Sequence, residues 1–131
     1  MRNPRFAIAA GIIMLAAAPL MAHHSFAAEF DHEKPITLKG AVTKVDWVNP
    51  HVYIYVDVKG ENGEVTNWAL ENNSPNSLVR EGWTRHALQP GDEVTVDGFL
   101  AKDGSKLLNA QSVKLPNGKK VFSGQGNYPK Q

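Results

Sequence analysis

Five histidines, at positions 23, 24, 32, 51 and 86, are the metal-binding side chains that stand out in this chain, which has no cysteine. His23 and His24 are adjacent. If processing makes His23 the first residue, its α-amine and its ring nitrogen belong to one residue and can chelate one ion. A third nitrogen, from the imidazole of His51 or His86, completes a T-shaped set of three. Nitrogen-rich tetragonal geometry suits Cu(II) best among the common divalent ions. The amine has an ordinary pKa of about 7.7–8.0, so the metal must displace its proton and binding weakens in acid. If the cut instead precedes Ala22, His24 becomes the third residue. Amine, two amides and imidazole can then wrap Cu(II) in a plane. The competing reading of His23 and His24 is a polar, flexible start to the chain.

His51 follows Asn49-Pro50, and its ring shares a strand face with Tyr53 and Tyr55. Such a face is a ligand-binding candidate, and equally a surface of amphipathic side chains. His86 and His32 read as solvated, the latter in a charged linker between Asp31 and Glu33. Trp47, Trp68 and Trp83 read as core. Glu71, Asp92 and Asp97 show no paired-carboxylate spacing, no serine lies in a nucleophile elbow, and no glycine pattern cradles a phosphate. Catalytic residues are therefore not assigned. A copper-dependent oxidative enzyme would need a substrate surface and an electron source that these residues do not supply.

The elements that must position these groups begin with a leader. Arg2 and Arg5 precede a 13-residue uncharged run, Phe6 to Ala18, which Pro19 breaks before Leu20-Met21-Ala22. A basic start, a short apolar run and a small residue at the cut form a Sec-type secretory signal. A membrane-spanning helix needs about 20 apolar residues. The expected cut follows Ala22, with Ala18 as competitor. The chain then divides into signal peptide 1–22, a His-His segment 23–35, a β domain 36–122 and a flexible tail 123–131. Net charge is +1 over 131 residues. Both leader arginines leave with the signal, so the mature charge is −1. That balance and a periplasmic or secreted location exclude nucleic acid as a natural partner. Hydrophobic residues make up 42% and charged residues 21%, which gives one small ordered domain rather than a disordered chain.

Ile36 to Val42 alternates with period two, and the apolar phase then slips at Val45 and Trp47, which predicts a β-bulge near Thr43-Lys44. Val52, Ile54, Val56 and Val58 share one face of the next strand, with His51, Tyr53, Tyr55 and Asp57 on the other. Gly60-Glu61-Asn62-Gly63 turns the chain into a third strand, Val65 to Leu70. Ser74-Pro75 predicts a helix start. The helix would run to Glu81, anchored by Leu78 and Val79 and stopped at Gly82. Strand four carries Val94, Val96 and Gly98 on one face, and strand five runs from Leu107 to Leu115. Asn117-Gly118 can fold Val121-Phe122 back as a hairpin. Three strands, one short helix and two further strands make an all-β chain with one helix, in the element order of a small OB-fold-like five-stranded barrel.

The assembled motifs resemble a family of small secreted bacterial proteins classed as a domain of unknown function (DUF6152). They are His23-His24-Ser25-Phe26, Gly40-Ala41-Val42, Trp47-Val48-Asn49-Pro50-His51 and the strand from Gly91 to Gly98. The resemblance implies a secreted β-barrel domain and carries no activity with it. The expected function is a periplasmic binding protein holding copper through His23, His24 and His51. The alternative is an OB-type module that takes a protein, peptide or glycan on the His51, Tyr53 and Tyr55 face without metal. The oligomeric state is left open.

Overall fold

The computed structural model describes residues 26–123. The expected signal peptide, His23, His24 and the tail from residue 124 onward lie outside the described residues. The described part is a one-turn helix α1 (Phe26–Glu29), a long strand β1 (Phe30–Asp46), β2 (Tyr53–Lys59), β3 (Val65–Glu71), helix α2 (Pro75–Arg80), β4 (Glu93–Ala101), β5 (Leu107–Lys114) and β6 (Lys120–Ser123). The six strands form one sheet in the order β3-β2-β1-β4-β5-β6. A parallel contact of β3 with β5, Ala69 to Leu107 through Glu71 to Asn109, closes a ring through five of them. All other neighbours are antiparallel. Among the described residues no helix is long and apolar enough to cross a membrane.

Alternation decides which residues fill the interior. Val52, Ile54 and Val56 are fully buried, and so are Leu70 and Leu108 on the neighbouring strands. Trp68, Val94, Val96, Ala110 and Val113 complete the same core cluster, with Trp47 and Trp83 half-buried against it. Two register shifts keep the phase correct. At Thr43 the pairing with β2 jumps from Val42–Val56 to Lys44–Tyr55, as the apolar slip predicted, so Val42 and Val45 both reach the core. At Gln111 the pairing with β4 jumps from Asp97–Ser112 to Gly98–Ala110, which lets Ala110 and Val113, three apart, both point inward. Gly98 has no space for a side chain: a Cβ there would collide with the Asn109 carbonyl and the Leu108 side chain.

Two expectations are corrected. β1 starts at Phe30, not Ile36, so the charged stretch around His32 is strand and not linker. Phe30 pairs with Ala101 and the next matched pair is Pro35–Phe99, five residues against two. That irregularity hides the strand from a period-two reading. In α2, Ser74 caps the helix by accepting from the Ser77 amide at 3.3 Å, as expected. Its anchors, however, are Pro75 and Leu78, while Val79 is 57% exposed. Residues one apart point about 100° from each other on a helix, whereas residues three apart share a face.

Candidate functional site

The outer face of the sheet carries the polar side chains, and one row of it crosses the ring. Tyr53 on β2 lies opposite Glu71 on β3. Glu71 lies beside Asn109 on β5. Asn109 lies opposite Phe99 on β4, which in turn faces Pro35 on β1. His51 enters this row from the loop before β2. Its Nδ1 stands 3.3 Å from Oε1 of Glu71. The Tyr53 hydroxyl donates to the other carboxylate oxygen, Oε2, at 3.0 Å. The Asn109 side chain also hydrogen-bonds Glu71, and its own Oδ1 accepts from Nε2 of Gln111 at 2.6 Å.

Glu71 is the centre of the cluster, and it is buried, with only 5% of its surface exposed. Position 71 points outward by alternation, so something must cover it. The amino-terminal end packs along the same row, at Phe99. Phe30 is buried, and Phe26 packs on it at 5.6 Å between ring centres and edge-on against Phe99 at 5.7 Å. Glu29, at the end of the same turn, is near enough for its charge to act on both Glu71 and Tyr53.

The electrostatics follow from this placement. Burial pushes the Glu71 carboxyl above its ordinary range, because the charged form has lost water; His51 and the Tyr53 hydroxyl pull it back, and the Glu29 charge raises it further. Burial likewise pushes the Tyr53 phenol up, with the adjacent Glu71 charge the next cause. Tyr53 is therefore a fixed hydroxyl donor at neutral pH, not a proton source. Nδ1 is the His51 nitrogen beside the carboxylate, and Nε2 is the other nitrogen of the ring. One third of the His51 side chain stays exposed. A carboxylate that holds one ring nitrogen and frees the other is the common support of a metal-ligating histidine.

Of the residues expected to bind ligand, the structure brings His51 and Tyr53 together on one carboxylate. Tyr55 shares their face but is covered differently: the Lys44 ammonium lies 5.3 Å from its ring centre. His32 and His86 are exposed. His23 and His24 lie outside the described residues, and among the described residues no three His, Asp or Glu side chains are grouped to hold a metal ion. Sequence reasoning missed Glu71 and Asn109. The signal for Glu71 was present in the β2–β3 hairpin: with Lys59 opposite Val65, antiparallel counting puts Tyr53 opposite Glu71. The parallel contact that supplies Asn109 has no such local signal.

The fold is a small β-rich domain with a ring through five strands, on whose outer face a buried carboxylate, a histidine and a tyrosine meet. The chain belongs to a family of unknown function, DUF6152, whose pattern matches residues 11–109. No curated protein matches it.

Proposed function

We propose that the protein is a periplasmic or secreted OB-fold-like β-barrel that binds one Cu(II), with the amine and ring of His23 and Nε2 of His51 as ligands and His24 adjacent. The barrel reading is supported by the ring β1-β2-β3-β5-β4 and by α2 lying between β3 and β4. The copper reading is carried by one observation: the Glu71 carboxylate stands 3.3 Å from Nδ1 of His51, whose side chain is one-third exposed. Charge supports it further. Glu71 and Glu29 repel each other across the cluster, and a bound cation relieves that repulsion, which a neutral partner does not. Phe26 is the first described residue, and the chain from His23 to Phe26 spans at most about 10 Å when extended.

The test compares four proteins by Cu(II) titration and electron paramagnetic resonance. They are the protein beginning at His23, the same protein with Met-Gly ahead of His23, His51→Ala and His32→Ala. The Met-Gly extension displaces the amine and weakens binding most. His51→Ala weakens it by roughly tenfold or more, on the scale of lost supporting groups in metal sites. His32→Ala leaves it unchanged. Identical spectra and affinities with and without the extension would remove the amine from the site and leave the metal-free partner-binding role of the His51, Tyr53 and Tyr55 face.

A further inference from the structure

Four residues back along β4 from Phe99, a second row crosses the outer face of the sheet. Lys39 on β1 lies opposite Thr95 on β4, Thr95 lies opposite Lys114 on β5, and Lys114 lies opposite Lys120 on β6. Alternation sets the row outward: the adjoining Val94, Val96, Val113 and Val121 are buried, while Lys39 and Lys120 are exposed. The row spans about 14 Å at one strand spacing per step, and a lysine stands on every strand of it except β4. Like charges directly opposite each other on paired strands repel, so Lys114 against Lys120 is a pairing that the fold alone does not favour. Asp97 offsets the Lys114 charge at 3.3 Å. Lys39 and Lys120 have no ion-pair partner among the described residues. An open groove of about 520 Å³ lies along the row, lined by Lys39, Thr95 and Lys114, by the apolar Leu115 and Pro116, and by one carboxylate, Glu93.

We propose that this groove binds an acidic polysaccharide, with the carboxylates of its sugars against Lys39, Lys114 and Lys120 and the Thr95 hydroxyl between them. The site is separate from the His51 cluster and does not rest on the copper reading. A row of about 14 Å presents its charges in sequence, which suits an anion that is long rather than compact. Backbone satisfaction argues against a peptide. A ligand crossing four paired strands meets side chains alone, because the ladders already use the N–H and C=O groups between those strands. A peptide lying there gives up water at its own amides and finds no backbone partner; peptides add to free strand edges instead. A sugar chain keeps its hydroxyls in water, sets its apolar ring faces against Leu115 and Pro116, and needs only cations and a hydroxyl for its acidic groups. Concavity argues against a membrane, whose surface does not enter a groove of this size.

The probe is sodium polygalacturonate, a carboxylated polysaccharide, with neutral dextran, polyglutamate, inorganic phosphate and phosphatidylglycerol vesicles as comparisons. Chelator is present throughout, so copper plays no part. Calorimetry at low and high salt gives the affinity, and two-dimensional nuclear magnetic resonance locates the site. The expected result is binding of polygalacturonate but not dextran, weakening as salt rises, with shifts at the amides of residues 39, 95, 114 and 120 rather than 51–55. Lys39→Gln and Lys120→Gln should each weaken binding about two- to fivefold, the scale of an exposed charge pair. Glu93→Gln should strengthen it by a similar factor. Lys59→Gln, on β2 outside the row, should leave it unchanged. All four positions are exposed, so urea melts of these variants should coincide with that of the parent. No binding of polygalacturonate, an equal loss from Lys59→Gln, or shifts centred on residues 51–55 would overturn the proposal. Tighter binding of polyglutamate, phosphate or the vesicles would overturn it too, and would give the row to a peptide, a small oxyanion or a membrane.

Discussion

Two carboxylates sit on the outer face of the same sheet, and their surroundings push them in opposite directions. Asp97 on β4 accepts from the Thr37 hydroxyl at 2.7 Å and the Ser112 hydroxyl at 2.9 Å, and pairs with the Lys114 ammonium at 3.3 Å. Those hydrogen bonds hold its carboxyl below the ordinary range. Glu71, at the end of β3, also has three partners, yet burial keeps its carboxyl above the ordinary range. The difference is water. Asp97 keeps 41% of its side chain in solvent and Glu71 only 6%. Asp97 therefore stitches β1, β4 and β5 together at little cost. Glu71 is a carboxyl whose charged form is disfavoured by desolvation, and it stands against a histidine and a tyrosine. Perturbed carboxylates of the second kind gather at functional sites.

A third carboxylate, placed where no partner exists, sets the outer limit of this comparison. Ile54 stands between Tyr53 and Tyr55 but points into the core and is fully buried. Ile54→Asp should lose the apolar burial and bury an unpaired charge, at a cost of about 4 kcal/mol or more. That is most of the stability of a small domain, so far-ultraviolet circular dichroism should show an unfolded chain. Tyr53→Ser, on the other face of the same strand, should cost about 1–2 kcal/mol, because a hydroxyl partner of Glu71 and some ring burial are lost. Equal damage from both changes in urea melts would show that the two faces do not differ as described.

Removing Glu71 gives the next largest effect. Glu71→Ala leaves the Tyr53 hydroxyl and the Asn109 side chain without their acceptor and His51 without its carboxylate neighbour, and Asn109 is buried. The expected loss is about 1–3 kcal/mol in urea melts of metal-free protein. Glu71→Gln should lose less, since the amide oxygen still accepts and the buried charge is gone. A gain in stability from Glu71→Ala would mean that desolvation outweighs all of these contacts.

How much of the fold is legible in the sequence follows the range of each interaction. The inward set of β2 is an uninterrupted alternation, so Val52, Ile54 and Val56 are legible as core. The Thr43 bulge shows as a phase slip, and Ser74-Pro75 shows as a cap because capping is local. Phe30 to Pro35 is not legible as strand, because Asp31, His32, Glu33 and Lys34 put polar side chains at successive positions where one face should be apolar. The site is half legible for the same reason. His51 and Tyr53 share a strand and a face. Glu71 reaches them through a hairpin register, Asn109 through a parallel contact, and Phe26 joins the row at Phe99 through the amino-terminal turn. None of these last pairings leaves a period in the sequence.

The smallest expected effect is the one that separates the two carboxylates most directly, because it has opposite signs for each. Asp97 has a depressed folded pKa. Its contribution to stability is present above the unfolded value of about 3.9 and is lost as pH falls through the folded value. The stability of the metal-free protein relative to Asp97→Asn should therefore decline as pH falls below about 4. Glu71 has a raised folded pKa. The fold favours its neutral form, so the protein should gain stability relative to Glu71→Gln as pH falls from neutrality toward the unfolded value of about 4.3. For Asp97, partly solvated, the neutral-pH difference should stay below about 1 kcal/mol, as for other exposed pairs. Chemical denaturation of the three proteins between pH 3 and 7, with chelator present, measures both slopes. Slopes of the same sign would show that the two carboxylates are alike in their environment, and the case for Glu71 as the strained support of His51 would fail with them.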